Sequence, residues 1–436
     1  GGLHRFDKKT GTWTPYRHEP QNPNSLSNNH VAAILEDSSG TFWIGTNGGG
    51  INIFDRETGQ FTHYRHDPRN PNSLGNDEIL TIYEDRANTI WIGTHGGGLH
   101  KFSAQKRKFR HYKKDIYNPN SLSSSRVWSI YKDRAGNLWV GTYDNGLNKI
   151  DREKGRFIHY KHDPGNPASL SHDMVWSIIE DRSGILWIAT GGGLNKFDGS
   201  TGQFTVYKTD PANPDSLNDD YIFELFEDSD GILWAGTRYG GLNKFDREMN
   251  RFTHYTFETD NPNSLSDNTV RAIHEDASGI LWIATYGGLN KFDKEKEQFT
   301  HYRNDPADVH SLSNNVVFSL CEDRAGHFWL GTNGGLNKFD KEKGTFTHFT
   351  LKDGLPNSLV GGIIEDDRGY LWLSTEQGVS RFDPASGTFR NYDVSDGLQS
   401  NDFNAGAHFK SKSGEIFFGG VNGFNSFFPG EVRDNE

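Results

Sequence analysis

Short apolar runs and Gly-rich turns alternate along the chain, and the same pattern recurs at a nearly fixed interval. In residues 275–295, which read EDASGILWIATYGGLNKFDKE, an apolar run is followed by a turn and a second, alternating run. A period of two between apolar and polar residues is typical of β-strands. Each unit holds four such runs, here called A to D and exemplified by 270–275, 281–285, 289–293 and 299–303. The pattern predicts four short strands per unit and shows no helical periodicity.

One tryptophan marks strand B of each unit and gives the period of the repeat. Successive copies lie 43 to 48 residues apart, at Trp43, Trp91, Trp139, Trp187, Trp234, Trp282, Trp329 and Trp372, with Phe417 in a ninth, degraded copy. Four strands repeated at this spacing are typical of the blades of a β-propeller. The sequence predicts an all-β fold with one closed propeller of nine four-stranded blades, or eight regular blades and a distorted or partial ninth.

The predicted domain spans residues 1–436, because repeat proteins grow by adding units to one structure. Its ends each hold part of a unit, so the ring is expected to close by overlap of strands from both termini, with an irregular junction. The predicted blades are 27–66, 75–114, 123–162, 171–209, 218–257, 266–304, 313–351, 358–394, and a closing blade from 403–430 with 1–18.

Several residue types that are common in active sites are repeated in every unit, which indicates a structural role. The Glu-Asp pair before each A–B turn is expected to shape the turn, and the tryptophans to pack between blades. Histidines recur in strand D, the outermost strand, where they are too dispersed to bind one ion. The single cysteine, Cys321, excludes an internal disulfide. We therefore predict no catalytic residues, no metal site and no cofactor.

Composition narrows the possible partners. The 436 residues carry a formal net charge of −12, which disfavours nucleic acids because binding to phosphates requires clustered Lys and Arg. No apolar run is long enough to span a bilayer, so no membrane contact by this segment is expected. The chain begins inside a repeat without a signal peptide, which predicts an N-terminal boundary set by processing or cloning.

Positions that change from unit to unit are the candidates for function. One variable column lies in the B–C turn and another opens strand A, the innermost strand; both are expected at the mouth of the channel. They hold aromatic, amide and charged groups that suit sugars or peptides. The candidate ligand-binding residues in these columns are His95, Tyr143, Asp144, Arg238, Tyr239, Tyr286, Arg126 and Glu78.

Two further candidates interrupt uniform columns in strand A. Glu224 stands where the other units have a small residue, and Arg271 stands where most have an aromatic one. A charge on an inner strand is costly unless it is paired or solvated. Both residues are therefore expected to line the channel.

The units V-x-x-I-x-E-D-x-x-G-x-L-W-I-G-T and G-G-L-N-K-F-D resemble the two-component regulator propeller repeat of bacterial hybrid sensor proteins. The resemblance covers residues 1–430. It implies an extracytoplasmic or periplasmic, non-catalytic sensor propeller that binds a small ligand such as an oligosaccharide, or a protein on one face. The alternatives are a lyase-type propeller enzyme with a His/Glu/Arg site on the channel face, and a pure protein-interaction scaffold.

Overall fold

The computed structural model describes residues 1–432 except 9, 39, 57, 69–72, 87–88, 104–107 and 152–155. Parts of the predicted blades 75–114 and 123–162 therefore lie outside the described residues. Where the sequence predicts one domain, the backbone contacts divide the chain into two compact units, Gly1–Arg107 and Lys108–Glu436. We call them unit 1 and unit 2. The single domain stays a prediction.

The described residues of unit 1 form three antiparallel sheets, with strand orders β1-β2, β3-β4-β5-β6 and β7-β8-β9. Its strands are β1 (Leu3–Asp7), β2 (Thr12–Tyr16), β3 (Val31–Glu36), β4 (Phe42–Thr46), β5 (Gly50–Phe54), β6 (Phe61–Tyr64), β7 (Ile79–Glu84), β8 (Thr89–Thr94) and β9 (Gly98–Ser103).

Unit 2 contains seven four-stranded antiparallel sheets among its described residues. Sheet 1 consists of β11 (Val127–Lys132), β12 (Leu138–Thr142), β13 (Leu147–Asp151) and β14 (Arg156–Tyr160). Sheet 2 consists of β15 (Val175–Glu180), β16 (Leu186–Thr190), β17 (Gly193–Asp198) and β18 (Gln203–Tyr207). Sheet 3 consists of β19 (Ile222–Glu227), β20 (Leu233–Thr237), β21 (Leu242–Asp246) and β22 (Arg251–Tyr255). Sheet 4 consists of β23 (Val270–Glu275), β24 (Leu281–Thr285), β25 (Gly288–Asp293) and β26 (Gln298–Tyr302). Sheet 5 consists of β27 (Val317–Glu322), β28 (Phe328–Thr332), β29 (Gly335–Asp340) and β30 (Thr345–Phe349). Sheet 6 consists of β31 (Val360–Glu365), β32 (Leu371–Thr375), β33 (Gly378–Asp383) and β34 (Thr388–Tyr392). Sheet 7 joins β35 (Phe403–Lys410), β36 (Ile416–Gly420) and β37 (Gly423–Phe427) with β10 (Arg110–Tyr112).

The sheets of unit 2 contact one another in a circle. Each first strand packs beside the next, from β11 through β15, β19, β23, β27 and β31 to β35, and β35 also contacts β11. The Val127 side chain of β11 packs against Gly419 of β36 so closely that a larger residue than glycine would not fit there. The Asn404 side-chain amide of β35 donates to the Val127 carbonyl at 2.7 Å. Sheets 7 and 1 are therefore joined like the other neighbours.

Sheet 7 corrects the predicted closing blade. Its outer strand is β10, which pairs Arg110 with Ser426 and Tyr112 with Phe424, and not a strand from residues 1–18. Strands β1 and β2 pair with each other instead. Sequence assigns β10 to the repeat 75–114, but in the structure that repeat keeps three strands among its described residues. The predicted count of nine four-stranded blades is not confirmed.

The constant residues of the repeat build the turns, as predicted. In sheet 2, Asp181 Oδ1 accepts from the backbone N–H groups of Ser183 and Ile185, both at 2.9 Å. Its Oδ2 accepts from the Trp187 indole N–H at 2.8 Å. The same Asp–Trp hydrogen bond, 2.7–2.9 Å long, occurs in all eight sequence repeats that contain the tryptophan. Because the indole is buried, this bond ties the turn to the packing between sheets.

The histidines of strand D also have a structural explanation. The Nε2 atoms of His159, His254 and His301 lie 2.7–2.8 Å from backbone carbonyls of Ser121, Ser216 and Ser264 in the loop leading to strand A. These hydrogen bonds hold each long loop against the outer strand of its own sheet.

Short 3₁₀ helices replace that long loop before sheets 6 and 7 and follow the last strand, at Leu351–Asp353, Val394–Asp396 and Pro429–Glu431. Among the described residues there is no helix with the length and apolar character needed to cross a membrane.

Candidate functional site

In sheets 1 to 6, a β-bulge in the first strand takes one residue out of the strand pairing. In β15 the register shifts between Val175 and Ser177, so Trp176 has no partner on β16. The same shift occurs in sheets 1 to 6 at Trp128, Trp176, Phe223, Arg271, Phe318 and Gly361. Bulges re-aim side chains and are frequent beside functional sites. All of these residues except Gly361 line the cavities of unit 2, and we call them the bulge column.

The two variable columns predicted from the sequence lie side by side in each sheet. The backbone N–H of Tyr143, in the B–C turn, donates to the Arg126 carbonyl at 3.0 Å, immediately before strand β11. Arg238 and Tyr221 are joined in the same way at 2.9 Å, and Tyr286 and Thr269 at 3.2 Å. Each sheet thus brings two variable residues to one end.

Residues of these columns in unit 2 line a cavity of about 560 Å³, which we call the mouth cavity. Nine aromatic residues line it, together with three arginines and the carboxylates of Glu376 and Asp402. Trp176 packs edge-on against Trp128, with ring centroids 4.4 Å apart, and against Phe223 at 4.8 Å. Tyr239 and Tyr286 remain 65% and 40% exposed, which leaves their rings accessible to a ligand. Volume and lining are those of a small-molecule site.

The three arginines of this mouth cavity lie against aromatic rings. The Arg126 guanidinium carbon is 3.8 Å from the centre of the Tyr143 ring. That of Arg238 lies 5.0 Å from both the Tyr221 and Tyr239 rings. Stacking restricts a guanidinium while leaving its N–H edges available to an acceptor.

Arg271 connects the mouth cavity to a second cavity of about 240 Å³, which we call the inner cavity. Its guanidinium lies 4.3 Å from the Phe223 ring, and one terminal nitrogen donates to the Ala405 carbonyl at 3.5 Å. Burial lowers the pKa of Arg271, although a guanidinium stays protonated.

Glu224 also lines the inner cavity. Burial raises the pKa of Glu224 to about 8, against the opposing effects of the Arg271 charge and a hydrogen bond with Ser177. The carboxyl group is therefore largely neutral at pH 7. The two breaks in the strand-A columns thus come together around the channel of unit 2.

The structure assembles most of the predicted ligand residues but not all of them. Arg126, Tyr143, Arg238, Tyr239, Tyr286 and Arg271 line the mouth cavity. Asp144 lies beside it, with a carboxylate oxygen 3.9 Å from the Arg126 guanidinium. His95 and Glu78 belong to unit 1, where His95 Nδ1 lies 3.1 Å from the Glu78 carboxylate, and they do not line this cavity.

Sequence reasoning missed the contribution of the bulge column and of sheet 7. Trp128, Trp176, Phe223 and Phe318 supply four of the nine aromatic residues of the lining, but apolar residues on an inner strand are usually core residues. Phe403 and Asn404 were missed because their unit lacks the marker tryptophan. The useful signal was the change from aromatic residues to Arg271 within one column.

One cluster of three acidic side chains among the described residues has the spacing of a cation site. It consists of Asp228, Asp230 and Glu275. The Lys294 ammonium lies 2.9, 3.2 and 2.8 Å from their oxygens, respectively. The lysine charge therefore balances this group internally.

Antiparallel sheets arranged about an aromatic cavity place the chain in the class of propeller-like repeat proteins. The model of the family described as "Two component regulator propeller" matches eight segments, 25–48, 73–96, 121–144, 169–192, 216–239, 264–287, 311–334 and 354–377. The chain belongs to this family of two-component regulator propeller proteins. None of the curated proteins compared with the chain matches it.

Solved structures of similar fold include extracellular sensor domains. The extracellular domain assigned to the hybrid two-component system BT3049 of B. thetaiotaomicron is 26% identical, with a TM-score of 0.72 over 98% of this chain and 59% of that chain. The extracellular domain of BT4673 from the same organism is 23% identical, with a TM-score of 0.63 over 100% of this chain and 57% of that one. The chain thus spans less than two thirds of either.

A more distant likeness in fold is found in an enzyme. Virginiamycin B lyase from Staphylococcus aureus is 14% identical, with a TM-score of 0.54 over 73% of this chain and 98% of that chain. At this identity the likeness concerns the fold alone.

Proposed function

We propose that the seven sheets of unit 2 act as one closed propeller that senses a small ligand, such as an oligosaccharide, outside the cytoplasm. The observation that carries the proposal is the mouth cavity, where exposed tyrosines and stacked arginines from several sheets converge. Aromatic faces stack on sugar rings, and guanidinium edges donate to hydroxyl or acidic oxygens. The family and the extracellular neighbours support a sensor role in a two-component receptor.

Binding is tested by titrating oligosaccharides into the full chain and measuring heat or melting temperature. Tyr239→Ala and Tyr286→Ala remove exposed rings from the mouth, so each should weaken binding about tenfold, the effect of losing ~1–1.5 kcal/mol of stacking. Tyr83→Ala is the matched control, because Tyr83 is 61% exposed in unit 1. Equal loss in all three variants would contradict a site at the mouth.

The second candidate function is a lyase-type enzyme. It is favoured by one observation: Glu224, Arg271 and His408 line the inner cavity together. A carboxyl group with a raised pKa suits proton transfer near neutral pH. A ligand that is bound and recovered unchanged after prolonged incubation supports the sensor. Product formation that Glu224→Gln abolishes would support the enzyme, whereas a scaffold would bind none of these ligands.

A further inference from the structure

The inner cavity adjoins the mouth cavity. Both are lined by Trp176, Arg271 and Phe318, which come from the bulges of sheets 2, 4 and 5. A ligand in the mouth can therefore place one substituent beside Arg271.

Several buried polar atoms around the inner cavity have no hydrogen-bond partner among the described residues. They are Trp176 Nε1, Arg271 Nε, Ser319 Oγ and His408 Nδ1. Trp176, Arg271 and Ser319 are only 7%, 9% and 1% exposed. Buried polar atoms are nearly always paired, because an unpaired one loses its hydrogen bonds to water without replacement. A guanidinium nitrogen only donates, so Arg271 Nε requires an acceptor.

The charge of the inner cavity also favours an acceptor. Its lining contains four titratable side chains: Tyr131, Glu224, Arg271 and His408. Burial raises the pKa of Glu224 to about 8 and lowers that of His408 to about 4. Burial also raises the pKa of Tyr131. At pH 7 Arg271 therefore carries the one full charge of this lining.

We propose that the inner cavity is a subsite for one oxyanion, a carboxylate or a sulfate, carried by the saccharide that fills the mouth. The inference rests on the proposed function and adds the chemical class of the ligand: an acidic oligosaccharide. Arg271, which lines both cavities, binds the anion. Neutral Glu224 tolerates the anion, and its ionised form repels it.

The test compares matched neutral, uronic-acid and sulfated oligosaccharides by calorimetric titration of the full chain at pH 7. We expect an acidic member to bind at least tenfold more tightly than its neutral partner, and its identity to distinguish carboxylate from sulfate. Arg271→Gln should abolish the difference, while Arg271→Lys keeps part of it. Arg251→Gln, which alters an exposed arginine on β22, should leave it unchanged.

Glu224→Gln gives an independent readout that does not require loss of binding. The wild-type preference for the acid should fall between pH 7 and pH 9 as Glu224 ionises, and the variant should keep it. Equal binding of acidic and neutral members overturns the anion subsite and leaves the mouth site intact. Binding of neither overturns both proposals. A crystal structure with the acid in the mouth and only water beside Arg271 also overturns the subsite.

Discussion

Phe109 provides the sharpest test of how unit 2 is held together. By sequence it opens strand D of the repeat 75–114, yet in the structure it is fully buried beside sheet 7. Its ring centroid lies 4.9 Å from that of Phe427 and 5.5 Å from that of Tyr392. Truncating a buried Phe to Ala costs about 3–5 kcal/mol. Phe109→Ala should therefore destabilise sheet 7 by this amount and release β10 from β37.

The assay is amide hydrogen exchange resolved by peptide. Since each 1.4 kcal/mol is a factor of ten, exchange in β35–β37 should accelerate about a hundredfold or more in Phe109→Ala. The control is Phe204→Ala, a change of the equivalent residue on β18, which is 6% exposed and should affect sheet 2. Faster exchange in β7–β9 with unchanged exchange in β35–β37 would refute the assignment of β10 to sheet 7. It would instead place β10 with the other strands of the repeat 75–114.

Three further predictions concern single side chains. The pKa of Glu224 is raised from 4.5 to about 8 in the folded state, so its contribution to the free energy of unfolding falls as the pH rises between those values, by at most ~1.4 kcal/mol per pH unit. In urea unfolding, Glu224→Gln should therefore show a smaller fall in stability over this range and greater stability than wild type at pH 8. Asp366→Asn replaces one acceptor oxygen by an NH₂ group, which then faces either the Trp372 indole N–H or the backbone N–H groups of the turn. The lost hydrogen bond should lower the free energy of unfolding by about 1–3 kcal/mol in the same assay. An unchanged unfolding midpoint would contradict a stabilising role of the Asp–Trp hydrogen bond. His301→Ala removes one half-buried hydrogen bond to the Ser264 carbonyl and should cost about 1 kcal/mol, so global unfolding at 25 °C would be incompatible with a role limited to holding the loop.

The sheet was predictable from sequence because every local signal agrees. In the unit that begins near residue 268, the predicted runs 270–275 and 281–285 coincide with β23 and β24. The run 289–293 begins one residue after β25 does, and the run 299–303 is shifted by one residue relative to β26. Strand alternation, an Asp that closes the turn and a Gly with positive φ, such as Gly279 at 78°, all specify the same hairpins.

The partner of an outer strand could not be predicted in this way. The residues FRHY at 109–112 have the same pattern as FTHY at 61–64, so both read as strand D of their own repeat. Yet β6 pairs with β5 of its own repeat, whereas β10 pairs with β37, more than 300 residues later. Strand pairing uses backbone groups that every sequence offers. The choice depends on which edge is available and on packing such as the Tyr112–Phe424 stack at 4.6 Å.

The candidate site was predictable only in part, because comparing repeats detects variation but not direction. The B–C turn column was found, since the loops change freely around Tyr143, Arg238 and Tyr286. The aromatic residues of the bulge column were not predicted as site residues, because nothing in the pattern V-W-S-I of β11 and β15 shows that one residue leaves the ladder. Arg271 was the exception: a guanidinium on an inner strand is costly unless it is paired or solvated, so its presence indicated that this position faces a cavity. The residue that disrupts the pattern most therefore identifies the site better than the residues that follow it.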